Sequence, residues 1–343
     1  MRASDTISFS ELDALERLLE RRPEGVRVHT AGHVEDPKRS WPLYAIELGD
    51  FSAGKPAMGF FGGVHGIERI GTQVLLAFLH TLFERLRWDD WLHRELEDVG
   101  VVAMPLINPS GMYRSTRSNH RNVDLMRNAP VDGEGHIPWP LGGQRLSPRL
   151  PWYRGSRSDP METEAATVCQ VVRSRLLDRP FSLSLDCHSG FGMDDRVWFP
   201  YAGHKRPMEH IAQAYALRNL FRETYPHHVQ YLIEPQSRAY RAHGDLWDYL
   251  YREAVTARGG VFLPLTLEMG SWRWVRKNPT QIFKRLGLFN PMLPHREHRI
   301  LRQHLTLLEF LLRATGGHRN WLPPESREEA LRSEAVSYWF RDR

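Results

Sequence analysis

Two cysteines in 343 residues exclude a disulfide-stapled scaffold and a zinc module built from four thiolates. No segment reaches the roughly 18 consecutive apolar residues of a membrane span. The first residues also lack the uninterrupted apolar stretch of about 7–15 residues that a secretory signal needs. They run Met1-Arg2-Ala3-Ser4-Asp5-Thr6 into an amphipathic segment with Leu12, Leu15, Leu18 and Leu19 on one face. A cytoplasmic chain with no membrane partner is therefore expected. Charge of one sign is scarce as well: 46 Lys and Arg against 41 Asp and Glu leave +5. That excess reads as arginine spread over a solvated surface, without a basic tail or block, so no nucleic-acid partner is expected. Internal repeats and low-complexity tracts are missing too.

What is present is an ordinary globular mix, 41% hydrophobic and 25% charged, with seventeen histidines that leave imidazole-based metal binding open. Short apolar runs bounded by turn residues predict buried strands at 43–48, 57–63, 99–107, 181–187 and 261–267. Helical periodicity fills the intervals at 68–87, 161–177, 207–224 and 246–257, and again at 294–313. Strands alternating with helices of this length predict an α/β layer sandwich. Residues 1–315 read as a single domain and 316–343 as a C-terminal extension ending in a short helix near 328–339. The Gly- and Pro-rich stretch 128–159 has no period and reads as a long loop, a feature that in compact domains is usually functional or disordered.

In open α/β sheets, ligands gather beyond the carboxyl ends of the strands. The strand at 57–63 runs into Val64-His65-Gly66-Ile67-Glu68, which puts an imidazole and a carboxylate three residues apart across a glycine turn. The strand at 181–187 runs into His188. His65, Glu68 and His188 make a two-histidine, one-carboxylate set, which leaves one tetrahedral position of a catalytic zinc open for water. Glu268 follows the strand at 261–267 and lies outside that set, where a carboxylate could accept a proton from an activated water and pass it to a leaving amine. Other histidines carry less. His295 and His298 read as polar faces of the last long helix, and His29 and His33 have no third ligand. Cys187 should face away from His188 on an alternating strand.

Over residues 41–313 the motifs, in order, resemble the zinc carboxypeptidase family. Gly62-Gly63-Val64-His65-Gly66-Ile67-Glu68 resembles its first zinc motif, and Asn108-Pro109-Ser110-Gly111 its Asn-Pro-Asp-Gly strand end. Thr116-Arg117-Ser118-Asn119 and Val123-Asp124-Leu125-Met126-Arg127-Asn128 resemble the arginine and substrate-carboxylate motifs. Asp186-Cys187-His188-Ser189 and Leu267-Glu268 resemble the third-ligand and catalytic-glutamate motifs.

The resemblance implies a three-layer α/β/α sandwich with a mixed central sheet, one zinc per chain on His65, Glu68 and His188, and Glu268 as general base and then acid. It also implies an arginine that polarises the scissile carbonyl, for which Arg117 and Arg114 both stand. Asp124 would orient His65, Arg127 would pair with a terminal carboxylate, and Tyr240 would close over the substrate. Met126 departs from the pattern, since the family has asparagine there and a thioether cannot donate to a carboxylate. The implied substrate is a peptide, with an N-acyl amino acid as the alternative through a deacylase of related fold. The remaining rival is a non-catalytic zinc-binding relative. The oligomeric state is left open.

Overall fold

The computed structural model describes residues 9–37, 39–257 and 259–341. The first eight residues, part of the segment read above as carrying no targeting signal, lie outside the described residues, as do the last two of the C-terminal extension. Eight strands form one sheet: β1 (Arg27–Asp36), β2 (Arg39–Gly49), β3 (Ala57–Gly62), β4 (Gly100–Met104), β5 (Phe181–Ser189), β6 (Asp195–Phe199), β7 (Tyr231–Pro235) and β8 (Val261–Met269). Their order across the sheet is β1-β2-β4-β3-β5-β8-β6-β7. The middle four, β4-β3-β5-β8, are parallel, while β2 and β6 run antiparallel to them on either flank. The sheet is therefore mixed, as expected. Every residue of β3 and β5 is buried, because helices cover both faces of the parallel centre.

The helices are α1 (Ser10–Glu20), α2 (Arg69–Arg85), α3 (Asp90–Glu97), α4 (Pro109–Arg114), α5 (Thr163–Val172), α6 (Ile211–Thr224), α7 (Leu246–Thr256), α8 (Trp272–Lys277), α9 (Pro294–Gly316) and α10 (Glu325–Phe340). One face of the sheet carries α2, α6 and α9, with Phe221 of α6 packed edge-on against Phe310 of α9. The other carries α5 and α7. These are the three expected layers. From Gly316 on, the chain folds back: α10 packs on α6, and the Trp339 indole N–H donates to the Ile233 carbonyl of edge strand β7 at 2.9 Å. Ala335 and Trp339 are fully buried there.

Of the eight strands among the described residues, five were legible in the sequence and three were not. β1 is an edge strand with half of its side chains exposed, and β7 is a half-buried edge strand of five residues. Neither has the apolar run that marks a central parallel strand. β6 is equally short and lies close behind the turn that follows His188.

Candidate metal centre and its cavity

The centre sits beyond the carboxyl ends of β3, β5 and β8. After β3 the chain turns at Gly63, whose φ of +68° is the left-handed region where a side chain would be strained. It then crosses the start of α4 so closely that a Cβ on Gly66 would lie 2.1 Å from the Gly111 carbonyl carbon. Asn108 locks this crossing: it caps α4 by accepting from the Gly111 N–H at 2.8 Å and donates to the Val64 carbonyl at 3.0 Å. This explains why an Asn-Pro-x-Gly strand end accompanies the His-x-x-Glu turn. Glu68 stands at the N-terminus of α2. That end is also held by Asn290, whose side chain accepts from the Ile70 N–H at 3.0 Å and donates to the Ile67 carbonyl at 2.7 Å. Sequence reading missed Asn290, which lies some 220 residues away and carries no local signal.

In β5 and β8, His188 and Glu268 are register partners, so adjacent parallel strands present them on the same face. Cys187 points the opposite way, toward α2, and does not join the site. His65, Glu68 and His188 are all buried and offer ligand atoms within 4.8 Å of one another. They are the one such group of three among the described residues. His29 and His33 lie on β1, and His295 and His298 are exposed on the first turns of α9.

The electrostatics of His65 and Glu68 suit a divalent cation, whereas His188 must give up a proton to ligate one. Burial and the adjacent Arg117 push His65 down to about 3, so its imidazole is neutral at pH 7. Its Nδ1 is buried without a hydrogen-bond partner. Burial alone would raise Glu68, but His65, His188 and Arg117 hold its carboxylate at about 2. A neutral imidazole beside an ionised carboxylate is the protonation pattern that metal ligands require. His188 lies between two carboxylates, with Nδ1 3.2 Å from Glu68 and Nε2 2.8 Å from Asp186. Against burial, these two carboxylates raise its pKa well above the ordinary value. Asp186 has no solvent exposure and also accepts from the Trp247 indole N–H of α7 at 3.0 Å. Part of its signal was in the sequence: residues two apart on a strand share a face, so the first residue of Asp186-Cys187-His188 lies on the ligand's side of the sheet.

The two arginine candidates separate. Arg117 reaches the centre, with Nη1 3.0 Å from Glu68, Nη2 2.7 Å from His65 Nε2, and Nε donating to Asp124 at 3.0 Å. Arg114 does not; it pairs with Asp36 of β1 at 2.6 Å. Asp124 is only partly where it was expected. Its Oδ1 lies 3.8 Å from His65 Nδ1, beyond hydrogen-bond range. Its Oδ2 accepts instead from Arg117 and from Arg127 Nη1 at 3.1 Å. The reason is charge: two guanidinium groups outcompete a neutral imidazole for a buried carboxylate. Although burial would raise it, Arg117 and Arg127 hold the Asp124 carboxyl below the usual range.

Around these groups lies a cavity of about 410 Å³. Glu268 faces it and accepts from the Phe191 N–H at 2.9 Å. Burial, and then Glu68, push the Glu268 carboxyl up to about 8. Arg127 and Met126 form part of the wall, as do Leu141 and Trp152 from the loop at 128–159. The loop is pinned to the Tyr240 segment by bonds from the His243 N–H to the Gly142 carbonyl (2.7 Å) and from the Gly244 N–H to the Val131 carbonyl (2.8 Å). Tyr240 stands edge-on to Trp198 with centroids 5.7 Å apart, and Phe191 and Trp272 continue this aromatic side.

The comparison with known proteins follows the same lines. Residues 12–273, most of the chain, match the zinc carboxypeptidase family model. The chain belongs to the zinc carboxypeptidase family. Among relatives, carboxypeptidase SOL1 of Arabidopsis thaliana is 33% identical over 93 residues, covering 26% of this chain and 19% of that protein. Carboxypeptidase D of Homo sapiens is 24% identical over 314 residues, covering 79% of this chain and 20% of that protein. The chain thus spans a fifth or less of the length of these curated relatives. The solved structure of bovine thrombin-activatable fibrinolysis inhibitor, in complex with tick carboxypeptidase inhibitor, superposes with a TM-score of 0.64 at 18% identity. That match covers 91% of this chain and 96% of the bovine one. At such identity the likeness establishes the zinc carboxypeptidase fold.

Proposed function

We propose that the chain is a zinc-dependent metallocarboxypeptidase that hydrolyses the amide bond preceding a C-terminal residue. The observation that carries this reading is the convergence of His65, Glu68 and His188 within 4.8 Å, with Glu268 beside His188 on the neighbouring strand. His65, Glu68 and His188 would hold one zinc ion, which would supply Lewis-acid activation of water and of the scissile carbonyl. Glu268, outside the ligand set and facing the cavity, takes a proton from the attacking water once it is ionised, which a cation on the three ligands would favour by offsetting the charge of Glu68, and returns it to the leaving nitrogen. The Phe191 N–H fixes its orientation. Arg117 directs positive charge at the developing oxyanion, and Asp124 holds that guanidinium in place through Nε. Arg127 is the cation available to a substrate carboxylate, and Tyr240 forms the wall that closes over it.

The N-acyl amino acid reading draws on one observation: Met126, buried in the cavity wall, sits where a carboxylate would gain an amide donor. Blocked dipeptides with free and amidated C-termini, assayed beside N-acyl amino acids with and without a chelator, test both. The carboxypeptidase reading expects chelator-sensitive release of a terminal residue from the free-carboxylate series alone. Equal rates on free and amidated termini would overturn it. Met126→Asn should improve kcat/KM on free termini, mostly through KM, by about one to two decades, the worth of a hydrogen bond to a charged group.

A further inference from the structure

The net positive charge is not spread evenly along the chain. Residues 269–308 contain eight Lys and Arg against a single acid, Glu297, an excess of seven where the whole chain has +5. Everything outside this stretch therefore nets −2. The stretch runs from the end of β8 through α8 into α9, and beyond Arg273 it lies outside the residues that match the family.

Its surface stands out in two ways. Many cationic side chains elsewhere meet carboxylates, as in Arg69–Glu11, Arg85–Asp89 and Arg173–Glu253. Here Arg276, Lys277, Lys284, Arg299 and Arg302 are exposed and have no carboxylate partner among the described residues. A cleft of about 250 Å³ between α8 and α9 is lined by Arg273, Lys277, His295, Arg296 and Arg299 and by no carboxylate. Asp194 lies 3.8 Å from Arg273 on the β6 side, and Gln303 in the cleft wall donates to Asp195 at 2.6 Å. Arg296 ties the two helices together by donating to the Trp274 and Lys277 carbonyls at 3.4 and 3.3 Å. Like charges one turn apart on a helix repel, so an anion in this cleft would relieve the face.

The second difference is apolar. Phe283 is 90% exposed, Ile282 and Trp272 50% and Leu288 40%, and Lys284 and Arg285 directly follow Phe283. Large apolar side chains interleaved with unpaired cations are the composition of a surface that lies on a bilayer, with aromatic groups at the headgroup level and cations on lipid phosphates. Trp272 also belongs to the cavity wall, so this face adjoins the mouth of the metal centre.

We propose that the face formed by residues 272–302 docks onto an anionic lipid surface, with Ile282 and Phe283 entering the headgroup layer and the α8–α9 cleft taking lipid phosphate. Such docking is peripheral, so it is compatible with the lack of a helix long and apolar enough to cross a membrane among the described residues. It stands apart from the peptidase reading and is tested without an activity assay. Full-length protein is sedimented with vesicles of phosphatidylcholine alone and of phosphatidylcholine mixed equally with phosphatidylglycerol, at low salt and at about 0.5 M salt. Binding is expected to the anionic vesicles alone and is lost at high salt. Arg299→Glu with Arg302→Glu should weaken it about fivefold or more per site, and Phe283→Ser about tenfold at unchanged charge. A soluble poly-glutamate peptide and inorganic phosphate serve as competitors. No binding to anionic vesicles, equal binding to neutral ones, parental binding by Phe283→Ser, or preference for the acidic peptide over vesicles would each overturn the proposal.

Discussion

Asp186 offers a sharp test of how the centre is built. Its Oδ2 lies at ion-pair distance, 2.8 Å, from His188 Nε2, while the other ring nitrogen, Nδ1, faces the ligand Glu68 at 3.2 Å and is the one placed to ligate beside it. A carboxylate on the far nitrogen fixes the ring's orientation and makes the ligating nitrogen more basic. Losing such an outer partner typically lowers metal affinity about 10–100-fold. Asp186→Asn keeps an oxygen for the Trp247 donor but removes the charge, so a loss near tenfold is expected; Asp186→Ala removes both and should approach a hundredfold. Trp247→Phe is the control. It deletes the indole donor but keeps the ring against Phe61, 5.1 Å away, and leaves Asp186 in place, so zinc affinity should hardly move. The assay is competition for zinc against a chromophoric chelator, with thermal melting of the metal-free protein as a separate readout. Parental zinc affinity in both Asp186 variants would refute the reasoning, and so would zinc loss that merely tracks a fall in melting temperature.

Glu268→Gln preserves the size and the Phe191 contact, so it should retain stoichiometric zinc, measured by atomic absorption, while turnover falls about 10²–10⁴-fold; loss of the metal would remove Glu268 from the proton-transfer role. Arg117→Met should cost at least about a hundredfold in kcat, the scale of losing an oxyanion donor, whereas Arg114→Met should leave kcat unchanged, and equal effects would contradict the geometry. Burial, with Glu162 nearby, pushes the Glu164 carboxyl up to about 7, so its proton is held more tightly in the folded state than in the unfolded one. Stability from this group is therefore full below the ordinary value of 4.5 and is lost as pH rises through about 7, a gap corresponding to about 3 kcal/mol. Glu164→Gln should gain on the parent in denaturant melts between pH 5 and 8, and a difference that does not change with pH would contradict this.

The parts of the fold legible in the sequence were those whose burial is two-sided. β3, β5 and β8 are nearly continuous apolar runs because helices cover both faces, and each ends directly at a group of chemical interest. Periodicity failed where one edge is solvent, as in β1 and β7, or where an element is too short for a period, as in α4 and α8. The excess charge was misjudged for a different reason. A count over the whole chain averages a slightly acidic body with one cationic stretch, and only the fold shows that Lys277 of α8 and Arg299 of α9 line one cleft.

The site was legible as ligands and illegible as supports. His65, Glu68 and His188 could be found because each lies within a few residues of a strand end, where spacing alone fixes direction. Asn290 could not, since it reaches the start of α2 from a distant loop. The arginine ambiguity falls between these cases. Arg114 and Arg117 are three residues apart, which on a continuing helix would place them on one face. The helix does not continue: Ser115 takes a left-handed conformation at φ 53° and closes α4. The chain reverses there, sending Arg114 outward to Asp36 and Arg117 back to Glu68 and Asp124. A serine in that region has no distinctive sequence mark, so one backbone torsion decided which arginine faces the cavity.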